Sequence, residues 1–253
     1  MGATGDNMSD LILQEGERLD DLHRNGYKII QNPRYFSFGM DAVLLSAFAK
    51  VHKNERHMDF CCGNGIIPIL LAAKCDGVNF WGMEIQKQLA DMAARSVALN
   101  GLGDEIRIIH GDIKGAADML GHGTFDVITV NPPYMAAGSG LENESSPMAI
   151  ARHEIMCSLD DVADSASKLL RFGGRLYMVH RPGRLADIVF TLRKHGLEPK
   201  TLRLVQSKAD EAPNTLLIMA AKGGKAHLNV EKPLVIYDQH GKYTREVYGI
   251  YYE

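Results

Sequence analysis

Four short polar or glycine-rich segments could carry chemistry, and each directly follows an apolar run. In chain order they are Asp59-Phe60-Cys61-Cys62-Gly63-Asn64-Gly65, Glu84, Asp112 and Asn131-Pro132-Pro133-Tyr134. Glycines let a backbone approach a ligand closely, and carboxylates accept hydrogen bonds from hydroxyl and amino groups. One such segment would be weak support for a binding site. Four of them after successive apolar runs indicate one shared crevice.

The first segment has the spacing of a ligand-binding turn. Gly63 and Gly65 would allow close backbone approach, and Asp59 could orient the turn or accept from an ammonium group. A dinucleotide-binding loop would carry a third glycine where Pro68 stands, so a pyrophosphate cradle is disfavoured. Two glycines alone are more often a plain turn, and the interpretation therefore depends on the other segments.

Two carboxylates extend the crevice toward an adenosine-like ligand. Glu84 ends the second apolar run, where a carboxylate can accept from both hydroxyls of a ribose. Nicotinamide and S-adenosylmethionine sites share that feature, so it does not choose between them. Asp112 could accept from the amino group of an adenine, or it could equally cap the start of a helix.

The fourth segment suits a planar ligand that carries an NH₂ group. Two prolines stiffen the loop and leave its carbonyl groups free to accept. Asn131 adds a side-chain carbonyl and Tyr134 a flat ring, so an amino group could be held by two acceptors while its ring stacks. Such bonds favour a nitrogen lone pair that attacks a methyl carbon, by positioning rather than by a strong base. The following stretch, Met135–Pro147, is expected to be a mobile lid.

The elements that must position these residues alternate between strand and helix. Predicted strands are 57–61, 77–85, 106–112, 125–134, 175–180, 202–206 and 215–221, and predicted helices are 66–75, 87–101, 158–174 and 184–196. This order predicts an α/β fold with a doubly wound, mostly parallel seven-stranded sheet and a terminal antiparallel strand pair. We expect residues 1–17 to be disordered or tag-like and residues 18–253 to form one domain, with a cap segment at about 18–50.

Composition is that of an ordinary globular protein, with 45% hydrophobic and 23% charged residues. The sequence shows no membrane span and no signal peptide, so a cytoplasmic protein is expected. The four cysteines form no CxxC pair and no zinc spacing with histidine, so no metal site is expected.

Charge is distributed unevenly along the chain. Residues 1–167 carry 13 Lys and Arg against 23 Asp and Glu, whereas residues 168–253 carry 15 against 8. A basic region of this kind fits a phosphate-binding face, and a solvated basic surface explains it equally well. The cations that we expect to contact phosphate are Arg193, Lys194, Lys200 and Arg203.

The order of the four segments resembles that of class I amino-group methyltransferases, which have a Rossmann-like fold. Three further segments resemble the bacterial enzymes that methylate N6 of the adenine 3′ of the anticodon in valine tRNA. They are Phe36-Ser37-Phe38-Gly39-Met40-Asp41-Ala42-Val43-Leu44-Leu45, Ala151-Arg152-His153-Glu154 and Gly174-Arg175-Leu176-Tyr177-Met178-Val179-His180-Arg181-Pro182. The likeness runs from about Arg18 to the C-terminus. It departs at Cys61, where many relatives carry a glycine.

The resemblance implies S-adenosylmethionine as cofactor and tRNA, at the adenine of nucleotide 37 in valine tRNA, as substrate. The residues that would contact the cofactor are Phe38, Asp41, Asp59, Gly63, Gly65, Glu84, Asp112 and Asn131. Asn131, Pro132 and Tyr134 would hold the target base as the catalytic residues. Arg152 and His153 could contact tRNA phosphate, or form a structural ion pair with Glu154.

Other functions remain open from the sequence alone. An NPPY segment also occurs in methyltransferases that act on a protein glutamine amide, on ribosomal RNA or on DNA adenine. A nicotinamide oxidoreductase could use the same fold and Glu84, although it would lack the third glycine. A non-catalytic RNA-binding module is a further alternative.

Overall fold

Strands and helices alternate along the chain and form a sheet with helices on both faces. The computed structural model describes residues 13–35, 37–132 and 157–252. The strands are β1 Arg18–Asp21, β2 Lys28–Gln31, β3 Arg56–Phe60, β4 Asn79–Glu84, β5 Ile106–His110, β6 Phe125–Val130, β7 Leu170–His180, β8 Leu197–Gln206, β9 Thr215–Lys222, β10 Asn229–Val230 and β11 Leu234–Val235. The helices are α1 Met40–Phe48, α2 Ile66–Ala72, α3 Lys87–Leu99, α4 Ala116–Leu120, α5 Leu159–Leu169, α6 Leu185–Lys194 and α7 Arg245–Tyr252.

The strand order of the main sheet is β10-β8-β9-β7-β6-β3-β4-β5, and β11 also pairs with β8. Strands β3 to β7 are parallel, and β9 runs antiparallel to both β7 and β8. The predicted doubly wound sheet with an antiparallel pair is therefore confirmed. The two-residue strands β10 and β11 add to the seven that the sequence predicts.

The register brings the ends of the parallel strands to one edge of the sheet. Phe60 at the end of β3 pairs with Met83 on one side and Val130 on the other. Glu84 pairs with His110, so β4 and β5 also end there. We call this the carboxyl edge, and the opposite edge, where these strands begin, the amino edge. Asp59 and Glu84 lie within the last two residues of strands that end at the carboxyl edge, and Asp112 and Asn131 follow such strands.

Each face of the sheet has its own hydrophobic core. Val127 of β6 packs in the core that contains Leu45 of α1 and Ile69 of α2. Its neighbour Ile128 packs in the other core, with Val162 of α5. Consecutive residues can both be buried because side chains alternate across a strand that is covered on both faces. None of the helices in the described ranges is long and apolar enough to cross a bilayer.

The boundary between α5 and β7 differs from the sequence prediction. Ser158, the first residue of the predicted helix, is the N-cap of α5 and forms a reciprocal capping box with Asp161. The helix does not continue to residue 174, because it ends at Leu169 and β7 begins at Leu170. Gly173 (φ +78°) lies instead where the pairing of β6 with β7 shifts register. Gly173 and Gly174, the last two residues of the predicted helix, are therefore part of an irregular strand.

The N-terminal region is more ordered than the sequence predicts. Residues 13–17 were expected to belong to a disordered N-terminus, yet Glu17 forms a bidentate ion pair with Arg95 of α3 at 2.6 and 2.7 Å. The hairpin β1–β2 follows and lies over α3, where Ile30 N–H donates to Ser96 Oγ at 3.1 Å. This hairpin and α1 lie within residues 18–50, the range for which a cap segment is predicted.

Candidate functional site

The turn after β3, which we call the glycine loop, spans residues 61–65 at the carboxyl edge. Gly63 (φ +56°) and Gly65 (φ +84°) adopt the left-handed backbone region, and Gly65 is the N-cap of α2. Cys61 (φ +56°) adopts the same region, which costs a residue with a side chain about 1–2 kcal/mol. Glycine, which the resemblance implies at this position in many relatives, would adopt this conformation without that cost.

The carboxylate of Glu84 holds the glycine loop in place. Its Oε2 accepts from Gly63 N–H at 3.0 Å and its Oε1 from Gln86 N–H at 2.9 Å. Burial raises the pKa of Glu84, while the hydrogen bonds from Gln86 and Gly63 act in the opposite direction. Each oxygen keeps a further lone pair, so the carboxylate can still accept from a diol above the loop.

Asp59, the penultimate residue of β3, is fully buried, and only one of its two carboxylate oxygens has a hydrogen-bond partner among the described residues. Its Oδ1 accepts from the Thr129 hydroxyl at 2.6 Å, whereas its Oδ2 has no partner among the described residues. Burial raises the pKa of Asp59 well above its usual range, and the nearby Glu84 raises it further. An unpartnered buried carboxylate oxygen is costly unless a ligand supplies a donor.

The support behind Asp59 includes residues that the sequence analysis missed. His57 Nε2 lies 2.9 Å from Thr129 Oγ1, and both side chains are buried. Because the Thr129 hydroxyl donates to Asp59, it can accept from the Nε2–H form of the imidazole. The alternation of side chains along the strands is the sequence signal that could have predicted this hydrogen-bonded series of His57, Thr129 and Asp59. His57 and Asp59 are two residues apart on one face, and Thr129 lies directly opposite Asp59.

Asn64 is a further residue that the sequence did not predict. Its side chain is fully buried, and its Nδ2 donates to the Ile30 carbonyl of β2 at 3.2 Å. Its Oδ1 has no partner within the described ranges. The bond fastens the β1–β2 hairpin to the glycine loop. No local sequence signal marks a contact between residues so far apart in the chain.

Asp112 has the capping role that was one of its two expected roles. Its Oδ1 accepts from Lys114 N–H at 3.0 Å, at the start of a 3-10 turn at Ile113–Gly115. Its Oδ2 lies 3.5 Å from Lys114 Nζ, and the side chain is 38% exposed. The cap does not exclude the other expected role, because the carboxylate remains accessible at the carboxyl edge.

Asn131 and Pro132 follow β6 at the carboxyl edge, next to the glycine loop. The pairing of Val130 with Phe60 brings Asn131 beside Cys61, the first residue of that loop. Pro132 is buried and Asn131 is half-buried. The expected base-binding pair therefore lies directly beside the expected cofactor loop.

Phe38 and Asp41 reach the same edge from the cap segment. Phe38 N–H donates to Gln31 Oε1 at 3.0 Å, and Asp41 in the first turn of α1 lies 3.4 Å from Thr215 Oγ1, at the start of β9. Other residues of the sequence predictions lie outside the described residues. They are Phe36, Pro133, Tyr134, the expected lid Met135–Pro147, Arg152, His153 and Glu154.

The four cations expected to contact phosphate are already engaged. Arg193 pairs with Glu198 at 3.0 Å, Lys194 with Asp160 at 2.8 Å and Arg203 with Glu246 at 2.6 Å, while Lys200 Nζ donates to a carbonyl at 2.8 Å.

Position in the sheet also weighs against the first three of these four cations as phosphate contacts. Leu197, just after α6, pairs with Lys222 at the amino edge of β9, whereas Thr215 is at the carboxyl edge of the same strand. Arg193, Lys194 and Lys200 therefore lie toward the edge away from the glycine loop. Cations nearer the crevice are Arg181, Arg184 and Lys208, in the loops that follow β7 and β8.

The described residues contain no group of three or more His, Cys, Asp or Glu side chains that could hold a metal ion. The four cysteines are free thiols. A side-chain hydrogen bond with Cys157, together with burial, raises the pKa of Cys61.

Comparison with known proteins identifies relatives of this arrangement. A family model described as methyltransferase small domain matches residues 27–189. A tRNA1(Val) (adenine(37)-N6)-methyltransferase of Dickeya chrysanthemi is 28% identical over 212 residues, which are 81% of this chain and 82% of that protein. One of Porphyromonas gingivalis with the same name is 32% identical over 179 residues, 68% of this chain and 67% of that protein.

Among solved structures, a predicted O-methyltransferase of Agrobacterium tumefaciens, protein Atu636, has a TM-score of 0.70 and 22% sequence identity. The match covers 83% of this chain and 95% of that chain. At this identity the likeness concerns the fold. It agrees with the doubly wound sheet described above.

Proposed function

We propose that this chain, which belongs to the methyltransferase small domain family and to the tRNA1(Val) (adenine(37)-N6)-methyltransferases within it, acts on the adenine at nucleotide 37 of valine tRNA. It is an S-adenosylmethionine-dependent methyltransferase whose acceptor is N6 of an adenine in tRNA. The choice of valine tRNA and the role of each residue are the parts that we propose.

The carboxyl edge suits the cofactor because it has buried polar atoms that lack a hydrogen-bond partner among the described residues. Asp59 Oδ2 is buried without a partner and lies below the glycine loop, where it can accept from the ammonium group or a water bound to it. Glu84 would accept from the ribose hydroxyls and Asp112 from the adenine amino group. Gly63 and Gly65 leave room for the methionine portion, and Phe38 with Asp41 would cover it. When bound, the cofactor supplies an electrophilic methyl group.

The target base would be held by the segment after β6. The side-chain carbonyl of Asn131 and the main-chain carbonyl of Pro132 would each accept one N–H of the adenine amino group. These two bonds would fix the nitrogen and direct its lone pair toward the glycine loop. Tyr134 would stack on the ring, which is a role assigned from the sequence.

A strong general base is not required at this site. The amino nitrogen becomes acidic only after it gains the methyl group, so its proton can leave late. Rate acceleration would come from the two preorganised acceptors and from alignment of nitrogen and methyl carbon. The buried Asp59, whose Oδ1 accepts from Thr129, is assigned to the cofactor and not to the amino group of the base.

One observation carries the proposal: the β3–β6 register that sets Asn131 beside the glycine loop. A cofactor loop and a pair of amide acceptors on adjacent strand ends bring a methyl donor and an amino group together. A nicotinamide enzyme has no use for the acceptor pair, and a non-catalytic RNA-binding module has no use for an unpartnered Asp59.

The direct test offers the enzyme and radiolabelled S-adenosylmethionine several acceptors side by side. These are unmodified valine tRNA, a second tRNA with adenine at nucleotide 37, ribosomal RNA, a glutamine-bearing release-factor protein and duplex DNA. We expect label in valine tRNA. Label in protein or DNA and none in tRNA would refute the proposal, and equal label in both tRNAs would refute the valine specificity alone.

A further inference from the structure

The exposed side of α7 carries two tyrosines in contact with each other. Tyr248 is 52% exposed and Tyr252 is 44% exposed, and their ring centroids are 4.7 Å apart. They are four residues apart on the helix and therefore share one face. His23, from the turn between β1 and β2, adds a third ring 5.6 Å from Tyr252. Clustered exposed rings of this kind usually mark a contact surface.

The contacts behind these rings hold them in place. Tyr237, Tyr243 and Tyr251 form an inner stack with centroid separations of 5.4 Å and interplanar angles of 18° and 10°. The guanidinium of Arg24 donates to the carbonyls of Gly249 and Ile250 at 3.1 and 2.6 Å, which ties the β1–β2 turn to α7. A ring surface that is already ordered loses little conformational entropy when it binds.

Positive charge lies next to the rings. Arg24 and Lys74 line a small cavity of about 60 Å³ that also contacts Tyr251. Burial and the charge of Arg24 lower the pKa of Lys74 to about 8. Asp21 lines the same cavity, but its carboxylate lies 3.6 Å from His23 Nδ1. An anion at the mouth of this cavity would relieve the repulsion between the two cations.

We propose that Tyr248, Tyr252 and His23 form a stacking surface for unpaired bases of the tRNA substrate, with Arg24 and Lys74 receiving the adjoining phosphate. Rings that stack bases beside cations that take phosphates are the usual means of binding single-stranded RNA. The surface is linked to the site through α1, because α7 packs on α1, whose first turn carries Asp41 at the carboxyl edge. Lys74 follows the end of α2 and lies toward the amino edge, so the tRNA would extend from the site along this side of the molecule. The inference rests on the proposed function, since it names where the same substrate is held away from the reacting base.

The test measures the dissociation constant of fluorescein-labelled, unmodified valine tRNA in the presence of S-adenosylhomocysteine. Replacing Tyr248 and Tyr252 together by alanine should weaken binding about tenfold or more, since each stacked base contributes substantially. Replacing both by phenylalanine should retain binding, because the rings remain. Phe190→Ala is the matched control, since Phe190 is 72% exposed on α6, away from this surface.

Further readouts separate stacking from a loss of fold. The affinity for S-adenosylmethionine should be unchanged in every variant, and KM for tRNA should rise while kcat stays nearly constant. If the double variant does not fold, Tyr252→Ala alone replaces it in the test. This residue lies at the end of α7, and its loss should weaken tRNA binding by a smaller factor. Lys74→Met should reduce the log–log salt slope of tRNA binding by about 1.

Three results would overturn the inference. The first is tRNA affinity within twofold of wild type for the double alanine variant. The second is that Phe190→Ala weakens binding as much as the double variant. The third is unchanged tRNA affinity together with a wild-type dimer that the double variant splits in sedimentation, which would assign the surface to a second copy of this chain. A wild-type enzyme that transfers no methyl group to any tRNA would contradict the proposed function instead.

Discussion

The two edges of the central sheet differ in whether their polar side chains have partners. At the amino edge, Arg175 donates to both carboxylate oxygens of Glu55 at 2.5 and 2.6 Å, and Arg171 pairs with Asp126. At the carboxyl edge, buried oxygens of Asp59 and Asn64 have no partner among the described residues. Folding alone gains nothing from such atoms. The ion pairs of the amino edge therefore stabilise the fold, whereas the carboxyl edge keeps buried acceptors available for ligands.

The largest expected effect follows from removing an acceptor at the carboxyl edge. Asn131→Ala should lower methyl transfer to tRNA by roughly 100- to 1,000-fold, the loss typical of one preorganised group that stabilises a transition state. Cofactor affinity should stay nearly intact, because Asn131 is assigned to the base. Single-turnover kinetics and calorimetry measure the two quantities. Parallel loss of cofactor affinity would show that Asn131 acts on the cofactor instead.

Glu84→Ala, unlike Asn131→Ala, should act mainly on the affinity for the cofactor. Loss of two charge-assisted hydrogen bonds to the ribose should weaken S-adenosylmethionine binding by roughly 1.5–3 kcal/mol. Glu84→Gln is the matched variant, since it retains an acceptor for Gly63 N–H and separates loop support from the charge. A change in affinity of less than threefold in the alanine variant would remove Glu84 from the ribose site.

His57 should make the protein sensitive to acid. Burial lowers its pKa from 6.5 to about 3, so the ring stays neutral in the folded protein. The unfolded chain takes up a proton below pH 6.5, so this contribution to stability is present above pH 6.5 and is lost as pH falls toward 3. The loss is about 2 kcal/mol at pH 5.

The measurement is the difference in urea unfolding free energy between pH 7.5 and pH 5. His57→Gln should reduce that difference, whereas His122→Gln, at a residue with an exposed side chain, should leave it unchanged. The raised pKa of Asp59 acts in the opposite direction, because the folded protein then binds the extra proton. Comparison with wild type is therefore required. Equal pH dependence in wild type and His57→Gln would exclude a buried neutral imidazole.

The smallest predicted effects contrast the two edges directly. Arg175→Met should destabilise the protein by about 1–2 kcal/mol and leave cofactor affinity unchanged, because Glu55 loses its charged partner far from the site and keeps only the His52 N–H. Asp59→Asn should weaken cofactor binding while stability at pH 8 stays equal or rises, because an ionised carboxylate is costly when buried. Thermal unfolding and calorimetry on both variants check this. Destabilisation by Asp59→Asn comparable to that of Arg175→Met would break the contrast.

The residues at the strand ends were predictable because their signal is local. Asp59, Glu84 and Asn131 each end an apolar run, and parallel strands bring such ends to one edge whatever the remaining packing. Asn64 was not predictable, because its partner is the Ile30 carbonyl in a distant hairpin. Gly173 was misread because a helix end and an irregular strand both call for a glycine with positive φ.

The tyrosine surface of α7 lies in a part of the chain for which the sequence analysis named no element. Tyr248 and Tyr252 have helical spacing, but a short segment of that kind gives little periodicity to measure. His23, the ring that contacts Tyr252, lies near the other end of the chain. Contacts between the two termini depend on the whole topology and carry no local signal.

Nucleoside mass spectrometry shows directly whether the carboxyl edge transfers a methyl group to N6 of a tRNA adenine. Unmodified valine tRNA is incubated with enzyme and S-adenosylmethionine, cut into defined fragments and digested, with Asn131→Ala as the matched inactive enzyme. We expect N6-methyladenosine in the fragment that contains nucleotide 37 and none with the variant. A methyl group on N1 or C2 of adenine, on another base, or on no nucleoside at all would contradict the account.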